Sequence, residues 1–323
     1  MISEGERSGW RAITLASDEL AVTVLPEKGA DLYELIDRSR DLDVLFKSPW
    51  GLQPPGSAPR QGSHGSPFLH NYEGCWQELF PNADAACTVD GVELPFHGEV
   101  ATLPWQVEEV GGELVCRVEC RLVPLTLERR MRVEGSTLTL EETVTNIGEH
   151  GQSFVWGHHC VLGSPFLEAG CRLHAPATTI ETIAEIWDET VRLAHPQRGR
   201  WPHAALRDGG TIDLSQVPGP EAGSHDDVYL SDLTDGFVAV ENPRLERTFC
   251  LRFDRNVFPF LIVWQPYGGA REMPLRGSYA LGVEPWVSRG NLADALEQGQ
   301  ARHLEAGASS STVLTASIER GTP

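Results

Sequence analysis

The chain has 323 residues, of which 41% are apolar and 22% charged, a composition typical of a globular protein and unlike that of a disordered one. Its formal net charge of −20 would repel nucleic acids and anionic membranes, so neither is an expected partner. The start of the chain, MISEGERSGW, lacks the basic and apolar regions of a secretion signal, and no run of 18 apolar residues follows. We therefore expect a cytoplasmic protein.

The seven cysteines are scattered along the chain and form no CxxC pair. Most of them stand in apolar surroundings, and their number is odd. This pattern is typical of buried free thiols in a reducing compartment, and it does not indicate a disulfide framework or a zinc site.

Glycine and proline are frequent, with 32 and 22 residues, which favours many strands joined by turns over a helical bundle. Seven segments contain the alternation of a half-buried strand: 114–122, 125–133, 137–146, 235–241, 249–253, 259–265 and 312–319. One helix is predicted over 291–298, with Asn291 as its N-cap. Long loops are predicted at 49–70 and 197–224, and the uniform composition indicates a single domain over 1–323.

Two adjacent histidines occur within an apolar, aromatic run at 154–163, FVWGHHCVLG. Consecutive side chains of a strand point to opposite faces, so His158 and His159 cannot both enter one cavity. One alternative is that both rings are satisfied by backbone partners inside a broad sheet. The other is that one ring faces a functional pocket.

Two further residues, His97 and Glu284, stand in sequence contexts that are typical of catalytic residues. His97 stands in ELPFHGEV directly before Gly98, where the backbone can turn or approach a ligand closely. Glu284 lies in LGVEPWVS, and apolar surroundings raise the pKa of a carboxyl group toward that of a general base working near neutral pH. A surface-loop role for His97, and a simple ion pair of Glu284 with Arg289, are the alternatives.

The order of five short motifs, PFHG, VTNIG, VWGHH, HDDVY and GVEPW, resembles that of the aldose 1-epimerase (galactose mutarotase) family. The similarity extends from about Leu20 to the C-terminal HLEAGASSSTVLTASIE and so covers most of the chain. It implies an all-β fold, a large antiparallel β-sandwich with few short helices. It also implies an enzyme that interconverts the α and β anomers of a small free sugar without a cofactor or metal, as a monomer or homodimer.

The resemblance implies a role for each matching residue. His97 matches the histidine that binds the sugar near its ring oxygen, and Glu284 matches the general base. His159 matches the general acid, although Cys160 follows it where the family has proline. Asp226 is the best match for the aspartate that binds sugar hydroxyls, with Asp227 as the alternative.

The sequence departs from the family at one substrate-binding position. Family members have an arginine ahead of the first histidine, whereas this chain has none between Arg60 and Arg117. Possible substitutes in this stretch are Trp76, as a platform for a sugar ring, with Gln77, Glu78 and Asn82 as hydrogen-bonding groups. Core packing is the alternative role for Trp76. The motif HGEVA contains no basic residue beyond its histidine, which disfavours a phosphorylated sugar.

Three other functions use the same residues. His97, His159 and Glu284 have the composition of an iron-binding facial triad. The scaffold could instead belong to a non-catalytic sugar-binding or sugar-sensing protein. Finally, Glu284 and Asp226 could serve as the two carboxylates of a glycosidase or lyase. The order of the five motifs favours the epimerase.

Overall fold

The computed structural model describes residues 1–58 and 66–321, and the chain within these ranges is built almost entirely of strands. The strands are β1 (Ile2–Arg7), β2 (Trp10–Ala16), β3 (Leu20–Leu25), β4 (Asp31–Asp37), β5 (Leu42–Asp43), β6 (Trp76–Leu79), β7 (Cys87–Val89), β8 (Val92–Leu94), β9 (Gln106–Val110), β10 (Glu113–Glu119), β11 (Leu125–Glu134), β12 (Thr137–Asn146), β13 (Gln152–Phe154), β14 (Gly157–Gly163), β15 (Arg172–His174), β16 (Thr179–Glu181), β17 (Arg198–Arg200), β18 (His203–Ala205), β19 (Thr211–Asp213), β20 (Ser224–Ser231), β21 (Phe237–Asn242), β22 (Arg247–Arg252), β23 (Phe260–Tyr267), β24 (Ala280–Trp286), β25 (Arg302–Leu304) and β26 (Ser309–Arg320). The short helices are α1 (Pro67–His70) and α2 (Leu292–Glu297).

Two large antiparallel sheets form the body of the molecule. The first contains 12 strands in the order β1-β2-β3-β4-β6-β14-β24-β23-β20-β16-β17, with β5 beside β4. The second contains eight strands in the order β15-β21-β22-β26-β12-β11-β10-β9. Three two-stranded pairs, β7-β8, β13-β25 and β18-β19, complete the described part of the chain. The expected large antiparallel β-sandwich with few short helices is confirmed.

Alternation in the sequence explains how the second sheet closes the core. On β11 the buried Leu127 and Met131 face partners on β12, where Leu127 pairs with Val144 and Met131 with Leu140. On both strands the residues of the opposite parity, such as Glu128 and Thr143, are more exposed, while Arg129 and Glu142 lie buried within the apolar rows. Each strand therefore removes one mainly apolar row from water, at about 25 cal/mol for each Å² of apolar surface buried.

The shorter predictions have mixed outcomes. The predicted helix is present as α2, and the Asn291 side chain accepts a hydrogen bond from the backbone N–H of Asp294, as expected of an N-cap. The predicted loop at 197–224 is wrong in detail, because it contains β17, β18 and β19. Part of the loop at 49–70 lies outside the described residues. The seven cysteines, all in the described ranges, are free thiols and, Cys87 apart, are buried.

Neither short helix in the described part of the chain has the length and apolar character needed to cross a bilayer.

The register around β14 separates the two histidines. His159 lies opposite Gln77 of β6, and His158 lies opposite Glu78. Since the side chains of a strand alternate, His159 occupies one face of the first sheet and His158 the other. We call the face with His159 the site face and the face with His158 the inner face.

Candidate active site

His159 and Glu284 face each other on adjacent antiparallel strands. Gly157 pairs with Trp286 and Val161 with Gly282, so the residues midway between them, His159 on β14 and Glu284 on β24, lie side by side on the site face. The distance from His159 Nε2 to Glu284 Oε1 is 3.7 Å. Both are almost enclosed, with 7% of His159 and 2% of Glu284 exposed.

Burial acts on these two groups in opposite directions. It lowers the pKa of His159 to about 4. Burial, followed by the negative charge of Asp227, raises the pKa of Glu284 well above its ordinary value. Burial thus favours the uncharged form of both groups, a protonated carboxyl beside an imidazole that can accept a proton. This is the composition of an acid–base pair.

His97 contributes a third group, an imidazole ring, from a tight turn. Its φ is +61°, in the left-handed region that non-glycine residues rarely adopt. At the following Gly98 a Cβ would lie 2.3 Å from the carbonyl oxygen of Phe80, so the turn admits only glycine there. The His97 ring lies 5.4 Å from that of His159, and burial, then His159, lowers the pKa of His97 well below its ordinary value. His97 Nδ1 has no hydrogen-bond partner among the described residues.

Aromatic side chains enclose the His159–Glu284 pair. The rings of Phe68 and Tyr72, from α1 and the residues after it, lie 5.7 Å and 5.6 Å from the ring of His159. Trp264 of β23 approaches His159 from another side, at 5.8 Å. Aromatic faces are suited to the apolar faces of sugars, and they also exclude water from the pair.

Asp227, and not Asp226, belongs to the site face. Asp227 pairs with Trp264 across β20 and β23, whereas Asp226 pairs with Gln265 on the opposite face. The Asp226 carboxylate is fully buried and accepts hydrogen bonds from the backbone N–H of Arg192 at 2.7 Å and from its Nε at 2.7 Å. The expectation that Asp226 faces a substrate therefore differs from its placement, because Arg192 already occupies this carboxylate.

Trp76 and Asn82 are also engaged elsewhere. Trp76 lies on the inner face, buried, with its indole nitrogen 3.2 Å from His158 Nδ1, so the packing alternative describes its position. The Asn82 amide donates to the backbone carbonyls of Ala85, in its own loop, and of Pro95, just after β8, and its oxygen accepts from the N–H of Leu292 at 2.8 Å. Asn82 thus joins this loop to the start of α2.

Gln77 does lie on the site face, directly across from His159. Its amide nitrogen donates to the carbonyl of Gly74, while its Oε1 is buried without a partner among the described residues. The Tyr72 hydroxyl is likewise buried without a hydrogen-bond partner among the described residues. Buried polar atoms are normally hydrogen-bonded, so Gln77 and Tyr72 are candidates for contacts with a polar ligand.

The sequence prediction missed Tyr72, Phe68 and Trp264. Trp264 was detectable in principle, since it stands in the predicted strand 259–265 with the same parity as Ile262, which pairs with Glu284. Phe68 and Tyr72 reach the site only through the path of the chain between β5 and β6, which no local pattern indicates.

Two groups of side chains in the described residues bring ligand atoms close enough to hold a metal ion: Asp31, Glu73 and Cys75, and Glu78, Glu142 and His158. Each group already contains a cation of the protein. Lys28 Nζ lies 2.7 Å from Asp31 and 2.5 Å from Glu73, and Arg129 Nε lies 2.7 Å from Glu142. Lysine and arginine therefore neutralise these carboxylates.

Solved structures share this architecture at low sequence identity. A protein from Klebsiella pneumoniae, provisionally named an aldose 1-epimerase, is 18% identical with a TM-score of 0.76, over 99% of this chain and 83% of that one. The Slr1438 protein of Synechocystis is 17% identical (TM-score 0.70; 98% and 99% covered). A galactose mutarotase-like protein of Clostridium acetobutylicum is 16% identical (TM-score 0.68; 99% and 98% covered).

No curated protein sequence matches the chain. A sequence profile described as "Domain of unknown function (DUF4432)" matches residues 7–318, nearly the whole length. The resemblance noted in the motifs and the likeness to these structures agree on the fold. The chain therefore belongs to the DUF4432 family and has the galactose mutarotase-like fold.

Proposed function

We propose that the protein is an aldose 1-epimerase-like isomerase, which equilibrates the α and β anomers of a free sugar with His159 as acid and Glu284 as base. The observation that carries the proposal is the His159–Glu284 pair, 3.7 Å apart and enclosed, with the two pKa values shifted by burial in opposite directions. Anomer exchange needs such a pair, because the C1 hydroxyl loses a proton to a base while the ring oxygen receives a proton from an acid.

The reaction balances with these two groups alone. Glu284 takes the proton of the C1 hydroxyl, His159 gives a proton to the ring oxygen, the C1–O5 bond breaks and a C1 aldehyde forms. After rotation about C1–C2, the reverse transfers close the ring on the other face. The reaction starts with the proton on His159 and with Glu284 as a carboxylate. Hydrogen bonds from sugar hydroxyls to this carboxylate favour the charged pair over the neutral pair, in which Glu284 carries the proton.

The surroundings of the pair favour an uncharged sugar. Among the described residues, no arginine or lysine contributes to the pKa shifts of His97, His159 or Glu284. His97, Gln77 and Tyr72 offer buried polar atoms that have no partner within residues 1–58 and 66–321, and such atoms suit hydroxyl groups. With Asp227 in place of Asp226, these residues form the proposed sugar-binding set.

Anomer exchange by saturation-transfer NMR across freshly dissolved aldoses, deoxysugars and uronic acids tests the proposal. Wild type should accelerate exchange of at least one sugar, and Glu284→Gln should lower kcat by about 10³-fold while sugar binding persists. Glu241→Gln is a matched control, since Glu241 is also a buried glutamate beside a histidine, with Oε2 3.3 Å from His174 Nε2 on the second sheet. Sugar binding without exchange in wild type would favour the binding-protein alternative.

A further inference from the structure

Beside the proposed catalytic pair, four side chains of three chain segments form one assembly, in which hydrogen bonds join Trp264, His225 and Asp188 and the Trp187 ring packs against His225. His225 of β20 and Trp264 of β23 lie on the site face, while Trp187 and Asp188 come from the segment between β16 and β17. We propose that His225 is a positioning residue that fixes Trp264 as the platform for the sugar ring, so that this assembly selects the sugar. The inference rests on the proposed function.

The hydrogen bonds of His225 determine its tautomer. Trp264 Nε1 donates to His225 Nε2 at 2.9 Å, and an indole N–H can only donate. His225 Nε2 must therefore be the acceptor, and the ring proton must be on Nδ1, which lies 3.0 Å from Asp188 Oδ2. Burial lowers the pKa of His225, with Asp188 opposing it, so the neutral ring that these bonds require is also the favoured form near neutral pH.

The bond to His225 sets the orientation of Trp264. The Trp264 ring is partly exposed, and it lies 5.8 Å from His159 and 5.7 Å from His225, so it stands between the catalytic imidazole and the positioning one. A tryptophan ring rotates about two side-chain bonds, and a hydrogen bond at its far end restricts both. Without that bond the ring face would no longer be held in one plane beside His159.

Trp187 completes the assembly from the segment between β16 and β17. Its ring meets His225 edge to face at 4.3 Å, and its Nε1 donates to Asp227 Oδ1 at 3.0 Å. Trp187 is 40% exposed, so its bond to Asp227 is at the solvent side of the site. Burial raises the pKa of Asp227 to about 6, and a sugar hydroxyl is the chemical group that can replace the indole N–H as donor to it. Trp187 and Trp264 both contact His225, and Asp227 pairs with Trp264 across the sheet, so this assembly suits a sugar that presents an apolar face to Trp264 and a hydroxyl to Asp227.

Two substitutions of His225 separate positioning from general support of the fold. In His225→Gln the side-chain oxygen reaches the place of Nε2 and can still accept from Trp264, whereas in His225→Asn the amide reaches only the place of Nδ1, beside Asp188. His174→Asn is the control, because His174 likewise contacts a carboxylate but on the second sheet. Indole-¹⁵N NMR, with the Trp264 signal assigned from Trp264→Phe, reports the bond directly and needs no ligand.

We expect the Trp264 indole signal to move in His225→Asn and to stay near its wild-type position in His225→Gln. For the sugar that wild type turns over fastest, KM should rise about tenfold in His225→Asn with kcat changed by less than about twofold, and His225→Gln should restore KM to within about threefold of wild type. An unmoved Trp264 signal in His225→Asn, equal effects in both variants, or a loss confined to kcat would each overturn the inference.

Failure of this inference is distinguishable from failure of the proposed function. If wild type binds a panel sugar without exchanging its anomers, the epimerase proposal fails, and the Kd of that sugar replaces KM in the same comparison. If exchange occurs but KM is the same in wild type and His225→Asn, the positioning role alone fails. If no panel sugar binds to wild type, both are overturned.

Discussion

The two faces of β14 place adjacent histidines in opposite electrostatic environments. On the inner face, His158 Nε2 lies 3.2 Å from Glu142 and its Nδ1 3.4 Å from Glu78. Burial alone would lower the pKa of His158, but these two carboxylates raise it above its ordinary value. On the site face, His159 has one acidic neighbour, Glu284, and its pKa falls to about 4.

The difference lies in how the buried charges are balanced. On the inner face Arg129 forms ion pairs with both Glu78 and Glu142, and its Nη1 donates to the carbonyl of Ala30 at 3.0 Å. The Arg129 bonds join β11 and β12 of one sheet to β6 of the other, and the contact of His158 with Glu142 joins β14 to β12. On the site face no arginine or lysine of the described residues plays this part, and burial shifts the pKa values of His159 and Glu284 toward their uncharged forms. We infer that one face is arranged for stability and the other for proton transfer.

The largest expected effect is on the inner face. Arg129→Met would leave two buried carboxylates without their guanidinium, and we expect the free energy of unfolding to fall by about 3–5 kcal/mol, measured by urea denaturation. Arg244→Met, which removes an exposed arginine beside Glu168, should cost less than about 0.5 kcal/mol. Comparable losses in the two variants would contradict a structural role for the inner face.

On the site face, His159→Asn should have the reverse signature. Removing the proposed acid should lower kcat by about 10²-fold, because positioned proton transfer contributes 10²–10⁴-fold. Its free energy of unfolding should stay within about 1 kcal/mol of wild type, since His159 makes no ion pair with an opposite permanent charge. A loss of stability as large as that of Arg129→Met, at unchanged kcat, would show that His159, like Arg129, stabilises the fold and does not transfer a proton.

His97 sharpens the comparison within the site. Asparagine tolerates the left-handed backbone of this turn, so His97→Asn should fold normally and raise KM about tenfold through loss of the ring contact. A β-branched residue cannot adopt φ of +61° without strain, and His97→Val should lose about 1–2 kcal/mol of stability in addition. Thermal unfolding and initial rates of anomer exchange measure both effects. Equal stability of the two variants would argue against strain at this position.

The smallest expected effect is that of pH near neutrality. The pKa of His159 is about 4, that of Glu284 is raised, and that of Asp227 is about 6, so kcat/KM should change from pH 6 to 7 by no more than about twofold, the change that ionisation of Asp227 would cause. It should fall as pH drops below about 4, when a second proton removes the base, and fall again on the alkaline side when Glu284 loses its proton and no acid remains. A rate that instead rises tenfold between pH 6 and 7 would place the titration of a required base there.

Local pattern predicted strands β10, β11, β12, β21, β22, β23 and β26, the N-cap of α2 and the opposite directions of His158 and His159. The strands and the directions of the two histidines follow from the two-residue period of a strand. The N-cap follows from the unpaired backbone N–H groups in the first turn of a helix. The order of short motifs identified His97, His159 and Glu284, and the structure brings the three together.

Which face of a strand meets the second sheet, and what lies there, was decided only by the tertiary structure. Alternation states that Asp226 and Asp227 point apart, but the register with β23 assigns Asp227 to the site face and leaves Asp226 to Arg192. Trp76 goes to the inner face for the same reason. The contacts of Arg129 with Glu78, and of Trp187 with Asp227, join residues far apart in the sequence, and such pairs depend on the packing of whole sheets and not on any local period.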